Sequence, residues 1–84
     1  MSKKNSPVFS RQFGSVRASV WETQSDEGKT FHNVTLVRSY KDKNGDWQES
    51  STFNGLADLA LVREAARLAA SWIEHRESDL EDND

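Results

Sequence analysis

The chain has no cysteine, which removes disulfides and thiolate metal centres, the usual reinforcements of small secreted domains. Its four glycines, Gly14, Gly28, Gly45 and Gly55, stand apart from one another. None belongs to a phosphate-cradling loop, and no serine sits in a Gly-x-Ser-x-Gly elbow. The longest unbroken apolar run is Leu59-Ala60-Leu61-Val62, far short of the roughly 20 residues a spanning helix needs. The opening MSKKNSPVF lacks the apolar stretch of a secretory leader. Cytoplasmic residence is the expectation. His32 and His75 are the only histidines, and they fall on different elements with no third ligand at metal spacing, so neither a metal nor a cofactor is expected. Asp42 and Asp46 flank a turn signal, where acids are ordinary solvating residues. One thin sheet and one helix offer no cleft in which to desolvate a carboxylate pair, so the chain reads as a non-enzyme.

What is present is a small, charged domain. At 84 residues with 35% hydrophobic content, it can bury only about 60% of the surface its unfolded form exposes. A partner subunit would therefore help, and a homodimer is expected. The net charge of -3 hides a gradient. From Glu74 to the end, six acids face one base, Arg76, whereas residues 1–73 carry ten bases against eight acids. Residues 1–17 hold Lys3, Lys4, Arg11 and Arg17 and no acid. Sparse apolar content predicts disorder for residues 1–7 and for an acidic tail at 77–84, leaving a single domain at 8–76.

Within that domain the hydrophobic period is first two, then 3.6. In Phe13–Glu22, Val16, Ala18 and Val20 point one way while Ser15, Arg17, Ser19 and Trp21 point the other, the mark of a half-buried strand. Ser25-Asp26-Glu27-Gly28 supplies a turn, and the β-branched and aromatic run Thr30–Tyr40 a second strand. Asn44-Gly45 predicts a two-residue type I′ hairpin, because both central residues of that turn need positive φ. This register pairs Asp42 with Trp47, Tyr40 with Glu49, Arg38 with Ser51 and Leu36 with Phe53; a bulge after the turn is the alternative. Beyond Gly55 comes a helix of about 18 residues with two apolar stripes. Leu59, Val62, Ala66, Ala69 and Ile73 are assigned to the sheet. Leu61, Ala65, Leu68 and Trp72 are assigned to a subunit interface, the alternative being that they widen the contact with the chain's own sheet. Asn54 or Asp58 is the candidate cap. The fold class is α+β: a three- to four-stranded antiparallel β-meander with one C-terminal helix packed on one face.

The expected functional surface is the face the helix leaves open. Cations and flat side chains recur along the strands: Arg11, Arg17 and Trp21, then Lys29, Phe31, His32, Arg38 and Tyr40, then Lys41, Lys43 and Trp47 at the hairpin. Cations neutralise phosphates, and rings stack on unpaired bases at roughly 1–3 kcal/mol per base. Arg11, Arg17, Trp21, Lys29, Arg38, Tyr40, Lys41, Lys43 and Trp47 are therefore the candidate nucleic-acid-binding residues. The bland reading is that most of the rings, Trp72 and Phe53 first, fill the core, and that Arg38 merely pairs with Glu49. The acidic tail is a candidate competitor for the same surface.

The run Phe13–Glu22, the segment Tyr40–Trp47, Ser51-Thr52-Phe53, Asp58-Leu59 and Ala69–Ile73 together resemble a set of small uncharacterised bacterial proteins, which imply no activity. In arrangement the chain is similar to the positive cofactor 4-like and Whirly single-strand-binding proteins. That resemblance implies dimers and a basic sheet that holds unpaired DNA. It also requires a fourth strand, near Val8 to Gln12. Two other three-strand-and-helix modules are less similar. The plant ethylene-response type has dense strand arginines that are missing here, and double-stranded-RNA-binding domains open their last helix on lysines where this chain has Leu56-Ala57-Asp58. The non-nucleic-acid alternative is a homodimeric protein-interaction module using the second helical stripe or an exposed edge strand.

Overall fold

A computed structural model describes residues 6–81. Strands β1 (Phe9–Phe13), β2 (Val16–Gln24), β3 (Thr30–Lys41) and β4 (Trp47–Ser50) form one antiparallel meander in the order β1-β2-β3-β4, followed by helix α1 (Gly55–Glu81). The fold is α+β, and β1 supplies the fourth strand expected near Val8 to Gln12. It is separated from β2 by the two-residue turn Gly14-Ser15, which the sequence reading absorbed into a single strand. Gly14 has φ 57°, and a Cβ there would meet the Leu61 side chain at 3.3 Å, so both the turn and the helix contact favour glycine.

Alternation fixes the core. Val16, Ala18 and Val20 on β2 are fully buried against Ala65 and Ala69 of α1. Phe9, Phe13, Leu36, Phe53, Leu61, Val62, Trp72 and Ile73 pack around them. Val16 and Val20 are the largest side chains with no exposure, at roughly 1.5–3 kcal/mol each; the centre is thin because alanines bring helix and sheet close. The helix runs in the direction of β2. Leu61 lies against Gly14 near its start, Trp72 stacks on Phe9 with centroids 5.7 Å apart, and Arg76 reaches Glu22 at 2.9 Å. It packs over β1, β2 and β3 and does not reach β4.

Three expectations are corrected. The stripe assigned to a subunit interface faces the chain's own sheet: Ala65 is fully buried, Leu61 and Trp72 pack on the core, and Leu68 is half-buried. The sheet-facing surface mixes both stripes, leaving Leu59 and Ala66 exposed, because the sheet contact falls between the two rows. The helix is 27 residues long and continues through 77–81, where a disordered tail was expected; residues 82–84, and residues 1–5 of the proposed basic terminus, lie outside the described residues. Asp58, not Asn54, supplies the capping carboxylate, accepting from the Asn54 backbone N–H at 2.8 Å.

The third correction is the hairpin register. Asn44 does not have positive φ, whereas Gly45 does, at 85°. The Gly45 amide donates to the Asp42 carbonyl at 3.0 Å and the Asp42 amide to the Asp46 carbonyl at 2.9 Å. The loop is thus three residues, Lys43-Asn44-Gly45, a type I turn closed by a glycine bulge. Lys41 consequently pairs with Trp47, Tyr40 with Gln48, Ser39 with Glu49 and Arg38 with Ser50. The one-residue shift reverses which face each β4 side chain occupies. The β2–β3 connection repeats the same chemistry: Gly28 (φ 84°) donates to the Ser25 carbonyl at 3.0 Å, and Ser25 donates to the Lys29 carbonyl at 2.8 Å. In both turns the first side chain accepts two loop amides. Ser25 Oγ takes those of Glu27 and Lys29, and Asp42 Oδ1 those of Asn44 and Asp46. The Asp46 amide, first, and the Gln48 side chain hold the Asp42 carboxyl below its ordinary range.

Candidate nucleic-acid interface

Cross-strand pairing assigns every candidate to a face. Because Arg17 sits opposite Val37, Trp21 opposite Asn33 and Thr23 opposite Phe31, the open face carries Arg17, Trp21 and Phe31. Parity along β3 adds Lys41, and the shifted hairpin adds Trp47 and Glu49. Phe31 is 51% and Trp47 68% exposed. The Lys41 ammonium lies 5.4 Å from the Trp47 ring centroid, so a cation and a flat apolar surface are presented together. Trp21 is half-buried and its indole Nε1–H donates to Thr35 Oγ1 at 3.1 Å. That bond draws the ring over β3.

The charge on this face is small. The Arg17 guanidinium donates to Glu49 at 2.6 Å, reaching across β3 from β2 to β4. Arg38, which was paired with Glu49 in the sequence reading, has other partners. It donates to the Thr52 carbonyl at 2.8 Å, lies 3.7 Å from Asp58 and stands 5.1 Å from the Tyr40 ring.

Four of the nine candidates, Arg17, Trp21, Lys41 and Trp47, share the open face. Arg11, Arg38 and Tyr40 are on the helix side: Arg11 pairs with inward Ala18, and Arg38 with inward Val16. Arg11 packs over Phe13 at 5.9 Å. Lys29 and Lys43 occupy the turns at opposite ends of β3, about 40 Å apart at strand rise. Recurrence along strands is not membership of one face, and parity separates those residues.

A second cluster sits at the far end of the covered face. Glu22 continues the Val16, Ala18, Val20 row, so parity puts its carboxylate under the helix. Arg76 donates to it through Nε at 2.9 Å and Nη2 at 3.3 Å, and His32 Nε2 lies 3.0 Å from Oε2. The Arg76 hydrogen bond, first, and His32 hold the Glu22 carboxyl below its ordinary range. The His32 side chain is 4% exposed, meets Trp72 edge-on at 5.9 Å and has Glu77 at 3.9 Å from Nδ1. This cluster was missed in the sequence, although extending the alternation by one step to Glu22 would have flagged it. It pins the helix to the sheet. Glu77 thereby lies on the helix side, away from the open face with which the acidic tail was expected to compete. Among the described residues no group of three or more His, Asp or Glu is arranged to hold a metal ion, and no helix is long and apolar enough to cross a membrane.

No known protein family, curated protein or solved structure matches this chain.

Proposed function

We propose that the protein binds single-stranded nucleic acid with little sequence preference on the open face of its sheet. The observation that carries this reading is the grouping of Trp21, Phe31 and Trp47 with Lys41 and Arg17 on a face without a helix. Rings set on a sheet stack on unpaired bases without a pocket, and the two cations supply phosphate contacts. The four-strand meander followed by a helix is the arrangement of the single-strand-binding proteins named above, and fold likeness adds only modest weight. With so few cations, affinity rests on stacking more than on charge. Fluorescence anisotropy with labelled oligo-dT at two salt concentrations tests it. Micromolar association is expected, with a log–log salt slope of about -0.7 to -1.4, the value for one or two phosphate contacts to a single strand. No association at low salt overturns the proposal.

The second reading, a homodimeric protein-interaction module, draws on Leu56 and Leu59, which are 85% and 52% exposed near the start of α1, and on the thin core. Light scattering at tens of micromolar tests it; a mass near 9.5 kDa would remove the dimer.

A further inference from the structure

Strand β3 is 12 residues long, but β4 covers only its last part, from Arg38 to Lys41. After Ser50 the chain leaves the sheet edge, and Thr52 and Phe53 turn in beneath it, where Arg38 holds the Thr52 carbonyl and Phe53 joins the core. Among the described residues nothing pairs with the outer edge of β3 before Arg38. The backbone groups on that edge follow from parity. Ser39 donates to Ser15 on β2, and Asp42 donates to Asp46 on the β4 side. Odd-numbered residues of β3 therefore bond β2, and the N–H and C=O of His32, Val34 and Leu36 point outward.

We propose that this edge, Thr30 to Val37, is a strand-addition site for an extended peptide of another protein that runs antiparallel to β3. The outward amides and carbonyls alternate at the spacing only an extended backbone can satisfy. Two exposed apolar side chains flank them, Val34 on the helix side at 41% and Phe31 on the open side at 51%. A peptide with β-branched or aromatic residues three positions apart would place one opposite each, on opposite faces. The segment TFHNVTLV contains no proline, lysine or acid. Those are the devices that normally blunt an edge; β1, by contrast, is five residues long with Arg11 at its centre, and β4 is four with Glu49.

A second copy of the chain does not fit. Two symmetric registers use all three outward residues, centred on Val34 or on Asn33. The first would place the copy's Thr30, and the second its Gly28 turn, beside Arg38, where Ser50 already sits. The site is an edge and its ligand a polypeptide; it shares only Phe31 with the open-face proposal, and its test at Val34 reads the edge alone.

Hydrogen exchange on the full chain gives the first test. The amides of His32, Val34 and Leu36 should exchange rapidly while those of Asn33, Thr35 and Val37 are protected. Protection of all six, or protection of the first three that rises with protein concentration, would overturn the proposal, the latter in favour of self-association. Selection from a displayed random octapeptide library supplies the probe for the second test. Recovered peptides should carry β-branched or aromatic residues three positions apart and slow exchange at His32, Val34 and Leu36. They should also bind at least tenfold more weakly to Val34→Lys, which places a charge on the edge, and to Val34→Pro, which deletes an outward N–H that β2 does not use. Retained protection of Thr35 and Val37 in each variant confirms folding. No enriched peptide, or binding indifferent to Val34→Lys, would refute the site.

Discussion

Single residues at the two hairpin turns carry consequences out of proportion to their size. A Cβ on Gly45 would meet nothing within 4 Å, so any cost of Gly45→Ala comes from the backbone, whose φ is 85°. About 1–2 kcal/mol of destabilisation is expected in urea unfolding. A loss below about 0.3 kcal/mol would contradict the bulged turn. Glu49 makes the opposite kind of prediction. Its carboxylate accepts from Arg17 at 2.6 Å, and exposed pairs of this sort contribute only about 0.2–1 kcal/mol. Glu49→Gln should therefore leave stability nearly unchanged while freeing a cation on the open face, tightening oligo-dT binding several-fold at low salt. Unchanged anisotropy titrations would place Arg17 outside the interface. The Asn-Gly pair announced the turn but not its type, because Asp42 and Ser25 each satisfy two loop amides and stabilise the three-residue form in both places.

At the scale of elements, the attachment of α1 to the sheet decides stability. Ala65→Leu should cost about 1–3 kcal/mol by overpacking a fully buried position. Were Ala65 at a subunit contact, the variant would instead change the mass in light scattering and leave the unfolding of a monomer alone. The Glu22 cluster ties the far end of the helix, and it does so in a pH-dependent way. Arg76 lowers the folded-state pKa of Glu22 below 4.5, so the native state binds fewer protons than the unfolded chain near that pH. The stability Glu22 contributes is then complete above about pH 5 and disappears as pH falls through the folded value. Urea titrations from pH 7 to 3 should show this loss. Glu22→Gln should flatten it and lower stability at pH 7 by about 1–3 kcal/mol, since Arg76 and His32 lose a charged partner. Asp42 is shifted in the same direction, so a residual slope persists in that variant. An identical slope in both proteins would mean the cluster is not formed in solution.

For the whole molecule, the arrangement is a two-layer wedge in which α1 covers β1 and β2 more fully than β3 and leaves β4 uncovered. This asymmetry explains why Val34 and Tyr40 are exposed on the nominally covered face. It leaves three surfaces unused by the fold: the open face, the edge of β3 and the start of α1. The open face carries Arg17, Lys41 and the acid Glu49, so electrostatic steering is weak. Replacing Trp21 and Trp47 by alanine together should therefore weaken oligo-dT binding more than replacing Lys41 and Arg17 together. The reverse order in anisotropy titrations would mean that charge, not stacking, dominates.

The chain's alternation determined that Val16, Ala18 and Val20 face inward and Arg17 and Trp21 outward, and its change of period after Gly55 determined one helix following a sheet. Those are local properties, set by the period of the backbone itself. Only the tertiary structure decided which turn type closed each hairpin and hence on which face Trp47 and Glu49 stand, since a single-residue slip inverts a whole strand. It also decided that the sheet meets a helical face between the two apolar rows, taking Leu61, Ala65 and Trp72 from one and Val62, Ala69 and Ile73 from the other. Arg11 and Arg38 fell beside the helix, and Glu22 beneath it, for that same reason: a side chain's neighbours across strands and layers are fixed by register and packing, which a linear pattern does not contain.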